Sequence, residues 1–263
     1  MDRRLVELPG PAVAAATDGT TVWCAAAGRL LAFDPYGSPT GSVPAPPGLR
    51  SLAAVAGTLV AAGEALSWLD PGAGKPVATL AAGQDTVVVA GGGAVWAASP
   101  REERAWPLPA PGALGAPVAA PGLSRCAAAG DRLWWTSRHD TLLRGGPQPV
   151  DLGVRAVAAM TVCAGAVWLA ATDTLLQVNA WSGRPGPGFG LMASSVDCAG
   201  GVLAGGCPGQ GLFVLDPARD EGPRRLADEP PGTLGAIVGC PPAVWALSAE
   251  EPAALVVPLT AFR

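Results

Sequence analysis

The chain holds one histidine, and it stands beside a hydroxyl and a carboxyl: Ser137, His139 and Asp140 lie together in TSRHDT. Serine, histidine and aspartate are the working parts of a hydrolase, in which imidazole takes the hydroxyl proton and carboxylate orients the imidazole. Adjacent residues on a strand or tight turn project in different directions, so sequence proximity does not make them converge. The GxSxG elbow that presents a nucleophilic serine is also absent. His139 is therefore expected in a surface loop, bonded to its own neighbours. Metal chemistry has less to build on. The six cysteines (Cys24, Cys126, Cys163, Cys198, Cys207 and Cys240) include no CxxC pair, one histidine cannot complete a tetrahedral site, and no DxDxDG calcium loop occurs. Neither metal nor cofactor is expected. The carboxylate pairs Glu102-Glu103, Asp220-Glu221, Asp228-Glu229 and Glu250-Glu251 fall in polar stretches, where solvation accounts for them.

The composition narrows what must position these groups. Only 14% of residues are charged, while 36 glycines and 28 prolines disfavour long helices. A net charge of -4, with Lys75 the single lysine, gives no general attraction for nucleic acid or anionic lipid. The start, MDRRLVELPGPAV, lacks the apolar run of a signal peptide, and the most apolar window, residues 156–171, is too short to span a bilayer. A cytoplasmic protein follows, with no membrane partner. The cysteines sit mostly in apolar runs, so buried free thiols in a reducing compartment are expected.

The positioning elements are short strands in a repeat. In VRAVAAMTVCAGAVWLAATDTLLQVNAWSG, residues 154–183, three apolar runs are separated by turn formers. Aligning the chain on the second residue of the Val-Trp pair gives Trp23, Val60, Trp96, Trp134, Trp168, Leu203 and Trp245, with steps of 37, 36, 38, 34, 35 and 42 residues. A period in the high thirties with three or four strands in each repeat marks a seven-bladed β-propeller, all-β, built from four-stranded antiparallel blades. One domain spans 1–263, with blades at 11–48, 49–83, 84–122, 123–153, 154–194, 195–232 and 233–263 plus 1–10. The seventh repeat stops after three strands. The strand-like segment Arg4 to Leu8 is expected to supply its fourth and to close the ring.

Asp34-Pro35, Asp70-Pro71, Asp216-Pro217 and Asn179 recur after the anchors, as residues that accept bonds from the backbone of a turn. Five of the nine tryptophans fill the anchor slot and should pack between blades. Trp181 does not, and packing on its own blade is expected over an exposed contact. Cys163, Cys198 and Cys240 each precede their anchors by five residues. Small apolar packing is their expected role, with a thiol cluster the alternative.

Units of the form VW-A-A-x(n)-LL-x-x-DP-x-x-G resemble the bacterial seven-bladed propellers of the YVTN, quinoprotein-like and streptogramin-lyase-like repeat class, along the whole chain. The resemblance implies architecture. A streptogramin-type lyase would need histidine and acids around a metal, and one histidine argues against it. In such propellers the loops entering the inner strand and those joining the second and third strands share the binding face. Here these loops carry Arg50, Asp85, Arg125, His139, Arg155 and Asp197. Their arginines suit an anionic group or an acidic partner segment. The leading expectation is a non-catalytic binding module or scaffold subunit of a larger assembly. Similar short propellers serve in MoxR-ATPase and von Willebrand-A systems and in phage-tail-like particles. The alternatives are a small-molecule sensor using the channel, or a lyase or hydrolase in the central funnel. Such an enzyme would take His139 or Asp197 as base, and Arg125 or Arg155 to stabilise developing negative charge.

Overall fold

The computed structural model describes residues 3–259 apart from 56, 73, 155, 220, 229 and 231. Apolar runs of four to seven residues, broken by Gly, Asp and Pro, become strands. After β1 (Arg4–Glu7) the first full sheet is β2 (Ala12–Thr17), β3 (Val22–Ala26), β4 (Arg29–Phe33) and β5 (Pro39–Pro44). The second is β6 (Ser51–Val55), β7 (Thr58–Ala62), β8 (Ala65–Asp70) and β9 (Lys75–Ala81). The third is β10 (Val87–Gly91), β11 (Ala94–Ser99), β12 (Arg104–Pro107) and β13 (Val118–Ala119). The fourth is β14 (Leu123–Ala129), β15 (Arg132–Ser137), β16 (Leu142–Arg144) and β17 (Val150–Asp151). The fifth is β18 (Val157–Cys163), β19 (Ala166–Ala171), β20 (Leu175–Asn179) and β21 (Pro185–Phe189). The sixth is β22 (Ser195–Ala199), β23 (Val202–Cys207), β24 (Gly211–Leu215) and β25 (Arg224–Ala227). The last is β26 (Leu234–Cys240), β27 (Ala243–Ser248) and β28 (Ala253–Pro258), with β1 as its fourth strand.

Each sheet is a simple antiparallel meander, and the inner strands of consecutive blades touch all the way round, β26 against β2 included. The molecule is a seven-bladed β-propeller. Closure is made by Arg4, Leu5, Val6 and Glu7 pairing with Val256, Leu255, Ala254 and Ala253. Among the described residues no helix is long and apolar enough to cross a membrane.

Seven hydrophobic clusters hold the ring, and each lies in the gap between two neighbouring blades. All seven anchors fall on second strands and are buried. Six face forward, toward the next blade, as Trp168 does into the gap between blades five and six. Leu203 faces the other way, back into that same gap, and its neighbour Ala204 faces forward. The alignment is thus one residue out in blade six, and a one-residue slip turns a strand side chain to the opposite face. The turn formers act as their chemistry dictates. Asp34 Oδ1 accepts from Tyr36 N at 2.9 Å, Asp70 Oδ1 from Gly72 N at 2.8 Å, Asn179 Oδ1 from Trp181 N at 3.0 Å and Asp216 Oδ1 from Ala218 N at 3.0 Å.

The same slip explains a correction to the expectation of free thiols. Cys163 and Cys198 form a disulfide with Cα atoms 5.2 Å apart. Cys163 points forward from blade five; Cys198, one place out of register, points back from blade six, and the sulfurs meet. Strictly equivalent positions would both have faced forward. Cys24 and Cys240 are buried thiols in the gap between blades seven and one, and burial pushes the Cys24 thiol up to about 12.

Anchor tryptophans differ in their indole nitrogens. Trp245 Nε1 donates to Pro35 O at 3.0 Å across the closing gap, and Trp168 Nε1 donates to Cys163 O at 3.3 Å. Trp134 Nε1 is buried without an acceptor among the described residues. Losing a made hydrogen bond strands its buried partner, at about 1–3 kcal/mol, whereas losing an unmade one strands nothing. Trp245→Phe should therefore destabilise by about 1–2 kcal/mol more than Trp134→Phe in urea unfolding. Reducing the disulfide, which closes a 35-residue separation, should lower the unfolding free energy by about 3–4 kcal/mol on the chain-entropy argument. Equal midpoints with and without reductant would contradict it.

Candidate functional site

Alternating strand direction puts the blade-to-blade connections and the turns between second and third strands on one face. The turns between first and second and between third and fourth strands lie on the other. Arg50 and Arg125, on the first of these faces, are exposed and fixed by backbone carbonyls. Arg50 donates to Gly48 O and Gly63 O. Arg125 Nε donates to Ala158 O of the next blade at 2.8 Å, and its Nη1 to Ser124 O at 3.0 Å. Neither has an ion-pair partner among the described residues. Asp85 is engaged within its own blade, accepting from Ser99 Oγ at 3.0 Å and from the Arg101 amide. Arg155 lies outside the described residues.

His139 is 64% exposed in its side chain, with Nε2 3.7 Å from Glu103 of the preceding blade. Its amide donates to Ser137 Oγ at 3.0 Å. Asp140 turns to Arg144 instead, at 2.5 Å, and the guanidinium hydrogen bond holds its carboxyl down at about 2. The three neighbours in TSRHDT therefore do not assemble as a triad. Asp140 is held by Arg144, the imidazole is exposed, and among the described residues the buried Ser137 Oγ is hydrogen-bonded only to the backbone amide of His139.

Asp197 is placed differently. It stands on the inner strand β22 and lines a central channel of about 400 Å³ whose walls come from the first strands of blades one to six. None of the other described candidates contributes to that wall. Its Oδ1 accepts from Thr161 Oγ1 of blade five at 3.3 Å and its Oδ2 from Gly239 N of blade seven at 2.8 Å, so one carboxyl bridges three blades. Solvent in the channel touches part of the side chain, but protein encloses the group. That burial pushes the carboxyl above the usual range, outweighing the lowering by the Gly239 and Cys198 amides and the Thr161 hydroxyl.

Other inner-strand side chains act as ties in the same way. Ser51 Oγ accepts from Val88 N at 3.1 Å and donates to Val88 O at 3.2 Å, and Ser195 Oγ accepts from Ile237 N at 2.9 Å. Sequence reasoning missed Thr161 and Gly239 as partners of Asp197. The signal that could have found Thr161 is register: Thr161 pairs with Trp168 as Asp197 pairs with Ala204.

Trp181 is also a correction. It is 65% exposed rather than packed on its own blade, and Arg132 of blade four lies over its ring at 5.7 Å. It sits on the face opposite Arg50 and Arg125.

The sequence matches no protein-family model and no curated protein. Among solved structures, the chain is similar to the β-propeller domain of Cps50 (Swd1) from Myceliophteria thermophila, with a TM-score of 0.73 and 12% identity. The likeness covers 98% of this chain and 100% of that one, and it establishes the fold.

A carboxyl whose folded pKa is raised binds more protons in the native state than in the unfolded chain, so stability falls as pH rises above the unfolded value near about 4. Asparagine at this position carries no such cost. Thermal melts of Asp197→Asn and the unaltered protein should differ little near pH 4, with the variant gaining progressively toward pH 8. A difference independent of pH would contradict the assignment.

Proposed function

We infer that this propeller is a non-catalytic binding module, a scaffold subunit of a larger protein assembly, of the bacterial repeat class and working in the cytoplasm. The observation that carries this reading is the state of Arg50 and Arg125. Backbone carbonyls hold both guanidinium groups in place without neutralising them. A guanidinium keeps its charge at any physiological pH and presents donors in a fixed fork suited to carboxylates. Pre-set, unpaired arginines on one face favour an acidic segment of a partner protein, with Arg138, His139 and Glu103 at the margin of the same surface. The likeness to the propeller domain of Cps50 (Swd1) is compatible with this reading through the fold. Disulfides are rare in the cytoplasm, so the Cys163–Cys198 bond is the observation that weighs against that compartment.

The test is affinity purification from the native organism with mass spectrometry, using the unaltered chain and Arg50→Glu/Arg125→Glu. Stoichiometric partners should co-purify, and the double variant should retain about tenfold less of them while remaining folded by circular dichroism. Trp181→Ala, on the opposite face, should leave retention unchanged. Partner retention indifferent to the double reversal, or a lone monomer, would overturn the reading.

A further inference from the structure

We propose that the central channel is a binding site for a small organic ammonium cation, with the ammonium seated against Asp197. The site is separate from the docking face above and does not depend on it. Its volume, about 400 Å³, falls in the range of about 300–1,000 Å³ that small-molecule sites occupy. The wall's side chains are mostly small and apolar and turn into the gaps between blades, as Leu52 does, while the edges of the inner strands show backbone N–H and C=O to the lumen, so more of its exposed surface is polar than apolar.

The polar groups on that wall decide the ligand's charge. Among the described residues Asp197 is the single charged side chain in the lining, with no Lys or Arg to meet an anion. Both threonine hydroxyls are committed. Thr161 donates to Asp197, and Thr17 donates to Thr21 O at 2.8 Å while accepting from Gly19 N at 3.0 Å. The polar groups left on the wall are neutral backbone amides and carbonyls, so Asp197 is what favours a cation there.

The carboxylate itself has room for a further donor. Its two oxygens offer about four acceptor positions. The Gly239 amide and the Thr161 hydroxyl take two of them. An N–H of the bound ammonium takes a third, in place of the acid proton, which leaves to solvent. Burial keeps Cys126, the one thiol on the wall, protonated and neutral, so it does not compete for the cation.

Methionine methyl groups provide a local readout. Met160 lines the channel, and Met192 is exposed outside it. In protein carrying carbon-13 methionine methyls, n-hexylammonium at pH 7 should shift the Met160 signal and leave Met192 in place. It should bind about tenfold or more tightly than n-hexanol, with n-hexanoate producing no shift, because hydrogen bonds to a charged group are the stronger kind. Asp197→Asn should bring hexylammonium down to the affinity of hexanol and leave hexanol unchanged. Hexanol binding as well as hexylammonium, or a Met160 signal unmoved by about 10 mM amine, a concentration that reveals even millimolar affinity, would overturn the proposal in the unaltered protein. Hexylammonium affinity unchanged in the folded variant would do the same.

Discussion

A ring of sheets is stable only if its last sheet is completed. Here that depends on four residue pairs between Arg4–Glu7 and Ala253–Val256. Without them β28 would present an unpaired edge to solvent, and the gap between blades seven and one would lose Val6 and Leu8 from its core. Each of the other blades is completed by contiguous chain. Closure alone joins segments from the two ends of the sequence. Phe33 packs against Trp245 in this gap with ring centroids 5.3 Å apart, and Trp245 bonds to Pro35, so closure carries polar and apolar contacts together.

Around the rest of the ring, apolar burial between blades is supplemented by side chains that reach from one inner strand to the next. Ser51, Arg125, Thr161, Ser195 and Asp197 each span such a gap. Two of these, Arg125 and Asp197, are residues whose type alone suggests chemistry. In a propeller, polar groups near the axis face both the channel and the neighbouring strand, and a residue that bridges blades can still offer a charge to the lumen. Asp197 does both.

How far this was legible in the sequence depended on the distance over which the deciding contacts act. The anchors, the Asp and Asn turns and the N-terminal closing strand came through because strand alternation and turn chemistry are local. Leu203 shows the limit. Its blade has no Val-Trp pair, VLAGG reads equally well in two registers, and only the gap it fills distinguishes them. The disulfide was hidden by the same slip, since Cys163 and Cys198 aligned as equivalents that should not meet. Trp181 was misjudged because its cationic neighbour, Arg132, comes from the preceding blade. The bridging role of Asp197 needed Thr161 and Gly239, 36 and 42 residues away.

The central claim is that the two ends of the chain form one sheet on which the ring depends. Native-state hydrogen exchange on the backbone amides of β1 tests it most directly. If the claim holds, the hydrogen-bonded amides within Arg4–Glu7 exchange as slowly as those of β27 and through the same cooperative opening. Exchange of β1 at the rate of an unfolded chain, while β27 and β28 stay protected, would show that the ring holds without it.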